Sequence, residues 1–138
     1  MVKSYYYIPD DVENIELVQY SHPDDLPLDV PYLVVKLGQS DIENSKLVSK
    51  ASQKDWWFHL ANAPSPHALT FYALSTVENH NLEKDSNLKN LMAEIVKQHS
   101  KQKFFKTSKL HYCQRKNLKL GDKPGLVLLK KTPSSLTI

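Results

Sequence analysis

A single cysteine, Cys113, among 138 residues rules out a disulfide within the chain and suits a reducing compartment. No apolar run approaches the roughly 18 residues of a membrane span, and the opening Met1-Val2-Lys3-Ser4-Tyr5-Tyr6-Tyr7 lacks the apolar stretch of a signal peptide. A soluble, cytoplasmic protein with no membrane partner is the expectation. Also missing are the signatures of hydrolytic and metal-dependent chemistry. There is no G-x-S-x-G or H-E-x-x-H, and Cys113, His111 and Asp55 could ligate zinc by type but stand at no recognised zinc spacing. Neither metal nor other cofactor is expected. The chain has no internal repeat, and its length fits one domain that buries about two-thirds of its unfolded surface.

Carboxylates are scarce towards the end of the chain. Residues 86–138 hold only Glu94 and Asp122 against twelve lysines and arginines, a net of +10, whereas residues 1–85 hold thirteen carboxylates against six lysines, a net of −7. Such separation points to nucleic acid or an acidic partner over a neutral metabolite, with the late residues as the polyanion-facing part. A solvated lysine-rich face has the same composition, so charge alone leaves both possibilities open.

What the chain does have is an aromatic run with histidines. Asp55-Trp56-Trp57-Phe58-His59-Leu60 has the length and composition of a strand, and Pro64-Ser65-Pro66-His67 follows as a turn. Side chains alternate across a strand, so Trp57 and His59 share one face and Trp56, Phe58 and Leu60 the other. Ala68–Leu74 is a natural antiparallel partner, which would bring His59 and His67 to one site. Asp55 is expected to cap a turn.

The remaining pattern predicts an α+β domain, a mainly antiparallel sheet with two principal helices packed on it. Residues 1–31 form an acidic segment interrupted by Pro9, Pro23, Pro27 and Pro31, with room for a short strand at Leu17–Tyr20, and residues 32–138 form the body. Tyr32–Leu37 reads as a central strand. Ser40 and Glu43 have capping-box spacing, so a helix is expected from Asp41 to Ser52, burying Leu47, Val48 and Ala51 and placing Asn44 near free helix N–H groups where an anion could bind. Val77–Asp85 reads as a loop. A second helix opens at Asp85 or Ser86, with Leu88, Leu91, Met92, Ile95 and Val96 as its apolar stripe and Lys97, Lys101 and Lys103 at its end. Leu110–Cys113, Gly125–Lys130 and Leu136–Ile138 read as short strands.

Between two of these strands, Arg115, Lys116, Lys119 and Lys123 put four cations in nine residues beside Gly121 and Gly125. Backbone at a glycine can approach a phosphate closely, and an arginine can chelate one. Tyr112, His111, Phe104 or Phe105 could stack on unpaired bases, although the two phenylalanines more often serve as core or helix-end anchors.

The series Gly38 to Leu47 with Lys50-Ala51, then Asp55-Trp56-Trp57-Phe58-His59, then Pro64 to His67, then Lys119 to Gly125 resembles, in order and spacing, the NFACT-R domain. That domain is the RNA-binding module of ribosome quality-control factors of the NFACT, or RqcH-like, group. Gln39 and Ser40 stand where the family pattern has Arg and Asn, which removes a cation suited to phosphate. The resemblance covers roughly residues 32–138 and implies a stand-alone module binding tRNA or rRNA, in the setting of the ribosome, with DNA as another candidate polymer. The contact set it suggests, with the basic loop, is Asn44, Lys50, His59, His67, Arg115, Lys116, Lys119 and Lys123. An alternative is an enzyme acting on a nucleotide or RNA end, with His59 and His67 as acid and base. A third possibility is that the acidic segment docks a protein or covers the basic surface.

Overall fold

Short runs of β-branched and aromatic residues build most of this protein. In the computed structural model, which describes residues 1–9 and 31–138, the strands are β1 (Lys3–Tyr7), β2 (Leu33–Gly38), β3 (Trp56–Leu60), β4 (His67–Phe71), β5 (Lys109–Gln114), β6 (Leu118–Leu120), β7 (Val127–Leu129) and β8 (Ser134–Thr137). Two helices accompany them, α1 (Asp41–Lys50) and α2 (Ser86–Gln98). Six strands form one antiparallel sheet in the order β1-β2-β4-β3-β5-β8, and β6 and β7 pair as a separate hairpin.

Alternation along each strand makes two cores. Tyr5, Tyr7, Val35, Leu37, Trp56, Phe58 and Leu60 pack on one face beneath Leu88, Leu91, Met92 and Val96 of α2. Tyr6, Val34, Trp57, Leu69 and Phe71 pack on the opposite face beneath Leu47 and Val48 of α1. Each such side chain, fully buried, contributes about 1.5–3 kcal/mol. The central strand β4 is covered from both sides and is buried at every residue. The α+β architecture read from the sequence is therefore correct, with the helices on opposite faces.

Local signals set the helix ends. Ser40 Oγ accepts the Glu43 N–H, while Glu43 accepts from the N–H of Gln39, a capping box with its return bond one residue early. α1 stops at Lys50, before the expected Ser52, because Ala51 turns to extended backbone and Ser52 bonds Asp55 through both its N–H and its hydroxyl. Asp85 caps α2 by accepting from Leu88 N–H.

Several expectations need correction. The tyrosine-rich start is an edge strand, since its alternating rings fill both cores. Leu118–Leu120 is a strand of the small hairpin where a loop was expected. The Val77–Asp85 loop contains a turn, Leu82–Lys84, anchored by the fully buried Leu82. Phe104 and Phe105 are not core or helix-end anchors: they are 90% and 56% exposed. The chain leaves α2 through turns in which Lys103 N–H bonds Ser100 O and Phe105 N–H bonds Gln102 O, and it rejoins the sheet only at Ser108, which exchanges two backbone bonds with Ile138. The strand suggested at Leu17–Tyr20 lies outside the described residues. Among those described, no helix is long and apolar enough to cross a membrane.

Candidate functional site

The sheet register brings three histidines together. β3 pairs with β5 so that His59 faces His111, and β4 begins at His67, whose Cα partner on β2 is Gly38. The His59 and His67 rings meet edge to face at 4.8 Å between centroids. Trp57 lies flat on His59, with centroids 5.4 Å apart and planes 9° apart. The expected meeting of His59 and His67 at one site is thus realised.

Hydrogen bonds determine which nitrogen of each ring is free. Trp57 Nε1–H donates to His67 Nδ1 at 3.1 Å, so the His67 proton sits on Nε2. His59 Nδ1 lies 2.6 Å from the Leu60 carbonyl, so it carries the proton there and leaves Nε2 as an acceptor. Burial is the main force on both rings. It lowers the pKa of His59 and drives that of His67 down to about 3, with the nearby His59 adding to the effect. His111 is lowered as well, by burial and then by Lys109. All three imidazoles are neutral at physiological pH. Pairing of a protonated ring with phosphate therefore does not suit His67.

These rings lie along a cleft of about 480 Å³. Its other walls are mostly apolar: Leu60 at the end of β3, Asn62, Ala63 and Pro64 from the β3–β4 connection, and Gly125, Leu126, Val127 and Leu129 from the β6–β7 hairpin, with Asn62 the one polar side chain among them. Gly125 fixes the hairpin against α1. Its φ is +82°, its N–H donates to Ser45 Oγ at 2.6 Å, and a Cβ there would come within 2.6 Å of the Asp41 carboxylate. Ser65 Oγ accepts the Leu60 N–H, which shapes the connection on the other side. A cleft with neutral donors and acceptors between flat rings and mostly aliphatic walls suits an uncharged planar group, not a phosphate.

The other expected contact residues occupy several places. Asn44 is buried, and its Oδ1 accepts the His67 backbone N–H at 3.2 Å. A Cβ on Gly38 would overlap that oxygen, so the glycine makes room for the bond. Asn44 therefore positions His67 and does not face an anion at the helix start. Arg115 sends Nε to Val48 O at 2.7 Å and one terminal nitrogen to Leu118 O at 2.9 Å, which joins α1 to the start of β6. Lys116, Lys119 and Lys123 are exposed. Lys123 borders a shallow depression with Lys46 on the α1 side of the hairpin. Lys50 lines a different groove, with Lys36, Lys46, Leu47, Phe71 and Leu74. Lys97 is buried and donates to Ile138 O at 3.1 Å, so it belongs to the scaffold.

Asp55 has the structural role expected of it. Its two oxygens receive Ser52 N–H and hydroxyl on one side and Thr70 hydroxyl and Tyr72 N–H on the other. Tyr112 stacks on Phe58 inside the core and is closed to bases. Burial pushes the Cys113 thiol up to about 11, which leaves it inert at neutral pH. His111 was named in the sequence as a residue able to stack on bases but not as a neighbour of His59 and His67, and the exposed leucines of the hairpin were not singled out. The signal that could have found His111 is its parity with Cys113 on β5, but only the pairing of β5 with β3 turns that parity into proximity.

No family model matches this chain, and no curated protein does. Among solved structures, the C-terminal part of the fibronectin/fibrinogen-binding protein from Streptococcus suis is similar, with a TM-score of 0.68 and 19% identity. The likeness covers 99% of this chain and 44% of that one, so this chain spans less than half of its structural neighbour. At that identity the two share a fold.

Proposed function

We propose that this protein is a nucleic-acid-binding module that takes an unpaired base in the histidine cleft and the sugar-phosphate backbone on neighbouring lysines. The cleft carries this reading: the part-exposed imidazoles of His59 and His111, backed by the buried Trp57 and His67 and framed by mostly aliphatic walls, next to a hairpin bearing Lys119 and Lys123. His59 and His111, the part-exposed rings of the cleft, can stack on any base, and His59 Nε2 can accept from an exocyclic amine. The scarcity of carboxylates late in the chain supports the same partner class. Resemblance of the Asp55–His59 and Pro64–His67 segments to NFACT-R favours tRNA or rRNA and a cytoplasmic, translation-linked setting. The enzyme alternative is weaker, because a ring held neutral as strongly as His67 is a poor proton donor near neutral pH.

Filter-binding titrations against tRNA, single-stranded DNA and duplex DNA at two salt concentrations test this. One polymer should be preferred, with affinity falling steeply as salt rises. Replacing Lys116, Lys119 and Lys123 together by Ala should flatten the salt slope by up to about 2 for a single strand, from roughly 0.7 per phosphate contact. Equal and negligible binding to all three polymers would remove the proposal.

A further inference from the structure

Among the described residues, one pair of aromatic side chains stands exposed outside both cores. Phe104 and Phe105 stand exposed on the connection from α2 to β5, the former almost completely. Their backbone is held by successive turn bonds from Lys103 to Ser100 and from Phe105 to Gln102, and Gln102 N–H also bonds Ser100 Oγ. The rings are thus presented on an ordered turn.

Lys101, Lys103 and Lys106 surround them, and no carboxylate occurs between Glu94 and Asp122. Lys103 Nζ lies 5.1 Å from the Phe104 centroid, a cation resting on a π face that can also reach an adjacent phosphate. The turn leads directly into β5, where the exposed Lys109 shares a strand face with His111 of the cleft. Phe105 and His111 are six residues apart, at most about 20 Å of extended chain. An extended polymer can lie along both, whereas a bilayer is too flat to enter a concave cleft.

We propose that the Phe104–Phe105 turn is a second stacking platform, for unpaired bases of the same strand that enters the histidine cleft, so the protein prefers single-stranded over duplex nucleic acid. The inference rests on the nucleic-acid reading above. It adds strand selectivity, because paired bases are already stacked on one another and cannot reach the rings.

The test is fluorescence anisotropy on the full chain and its Phe104→Ala/Phe105→Ala variant. The probes are an adenine dodecamer, a blunt duplex of equal length, and vesicles of phosphatidylserine and phosphatidylcholine. Both rings are exposed, so the variant should keep the wild-type melting curve. It should bind the dodecamer roughly tenfold or more weakly and the duplex within about twofold of wild type, at an unchanged salt slope. Equal dodecamer affinity for both proteins would overturn the platform while leaving the base-binding cleft standing. A parallel loss on the duplex would also overturn it, as would vesicle binding that needs the phenylalanines while dodecamer binding does not. If the wild-type chain binds neither nucleic acid, platform and underlying reading fall together.

Discussion

His67 shows how one side chain can be made by its neighbours. The Trp57 indole, the Asn44 amide and the missing Cβ of Gly38 hold it in place, and burial keeps it neutral. The sign of the resulting pH dependence follows. The unfolded chain takes up a proton near the ordinary histidine pKa of about 6.5, whereas the folded one resists until about 3. The stabilisation is therefore complete above pH ~6.5 and is lost as pH falls towards 3, by up to several kcal/mol. His59 and His111 shift in the same direction, so the contribution of His67 has to be isolated. Urea midpoints between pH 7 and 4 should fall less steeply for His67→Asn than for wild type, by a slope of up to about one proton. Parallel curves would mean that His67 titrates normally. Arg115 gives the complementary lesson, since an arginine that looks free for phosphate in the sequence is held by two backbone carbonyls.

Among the elements, the β6–β7 hairpin decides whether a cleft exists at all. It lies outside the main sheet and reaches α1 through Gly125, whose positive φ and close approach to Asp41 leave no room for a side chain. Gly125→Ala should destabilise the protein by about 1–2 kcal/mol through backbone strain alone. It should also lower oligonucleotide affinity under conditions where the fold is intact, because the hairpin forms one wall. Urea denaturation and a binding titration on the same preparation check this, and wild-type values in both would show that the residue does not hold the wall. The helices and the β3–β4 hairpin were legible beforehand because capping residues, periodicity and a short connection are local signals. β1 was not legible, since a run of tyrosines has no outward sign of the strand it will join.

At the scale of the molecule, charge is divided along the chain. The acidic segment contributes seven carboxylates between Asp10 and Asp29, and like-charge repulsion predicts that they oppose a polyanion approaching the basic half. Deleting the start of the chain is a poor test, because β1 supplies buried tyrosines to both cores and pairs with β2. Converting the seven acids to Asn and Gln would raise the net charge from +3 to +10. Polyanion affinity should rise, with the gain shrinking as salt is added. An unchanged affinity at low salt would show that the segment does not oppose binding.

The sequence by itself determined the α+β class, both helices with their caps, the aromatic hairpin and the meeting of His59 with His67, because each depends on neighbours close along the chain. Only the tertiary structure decided that His111 completes the cleft, that Asn44 and Arg115 serve the scaffold, that Lys50 lines a separate groove and that Phe104 and Phe105 face solvent. Those outcomes depend on strand register and burial, which are set by packing between segments tens of residues apart.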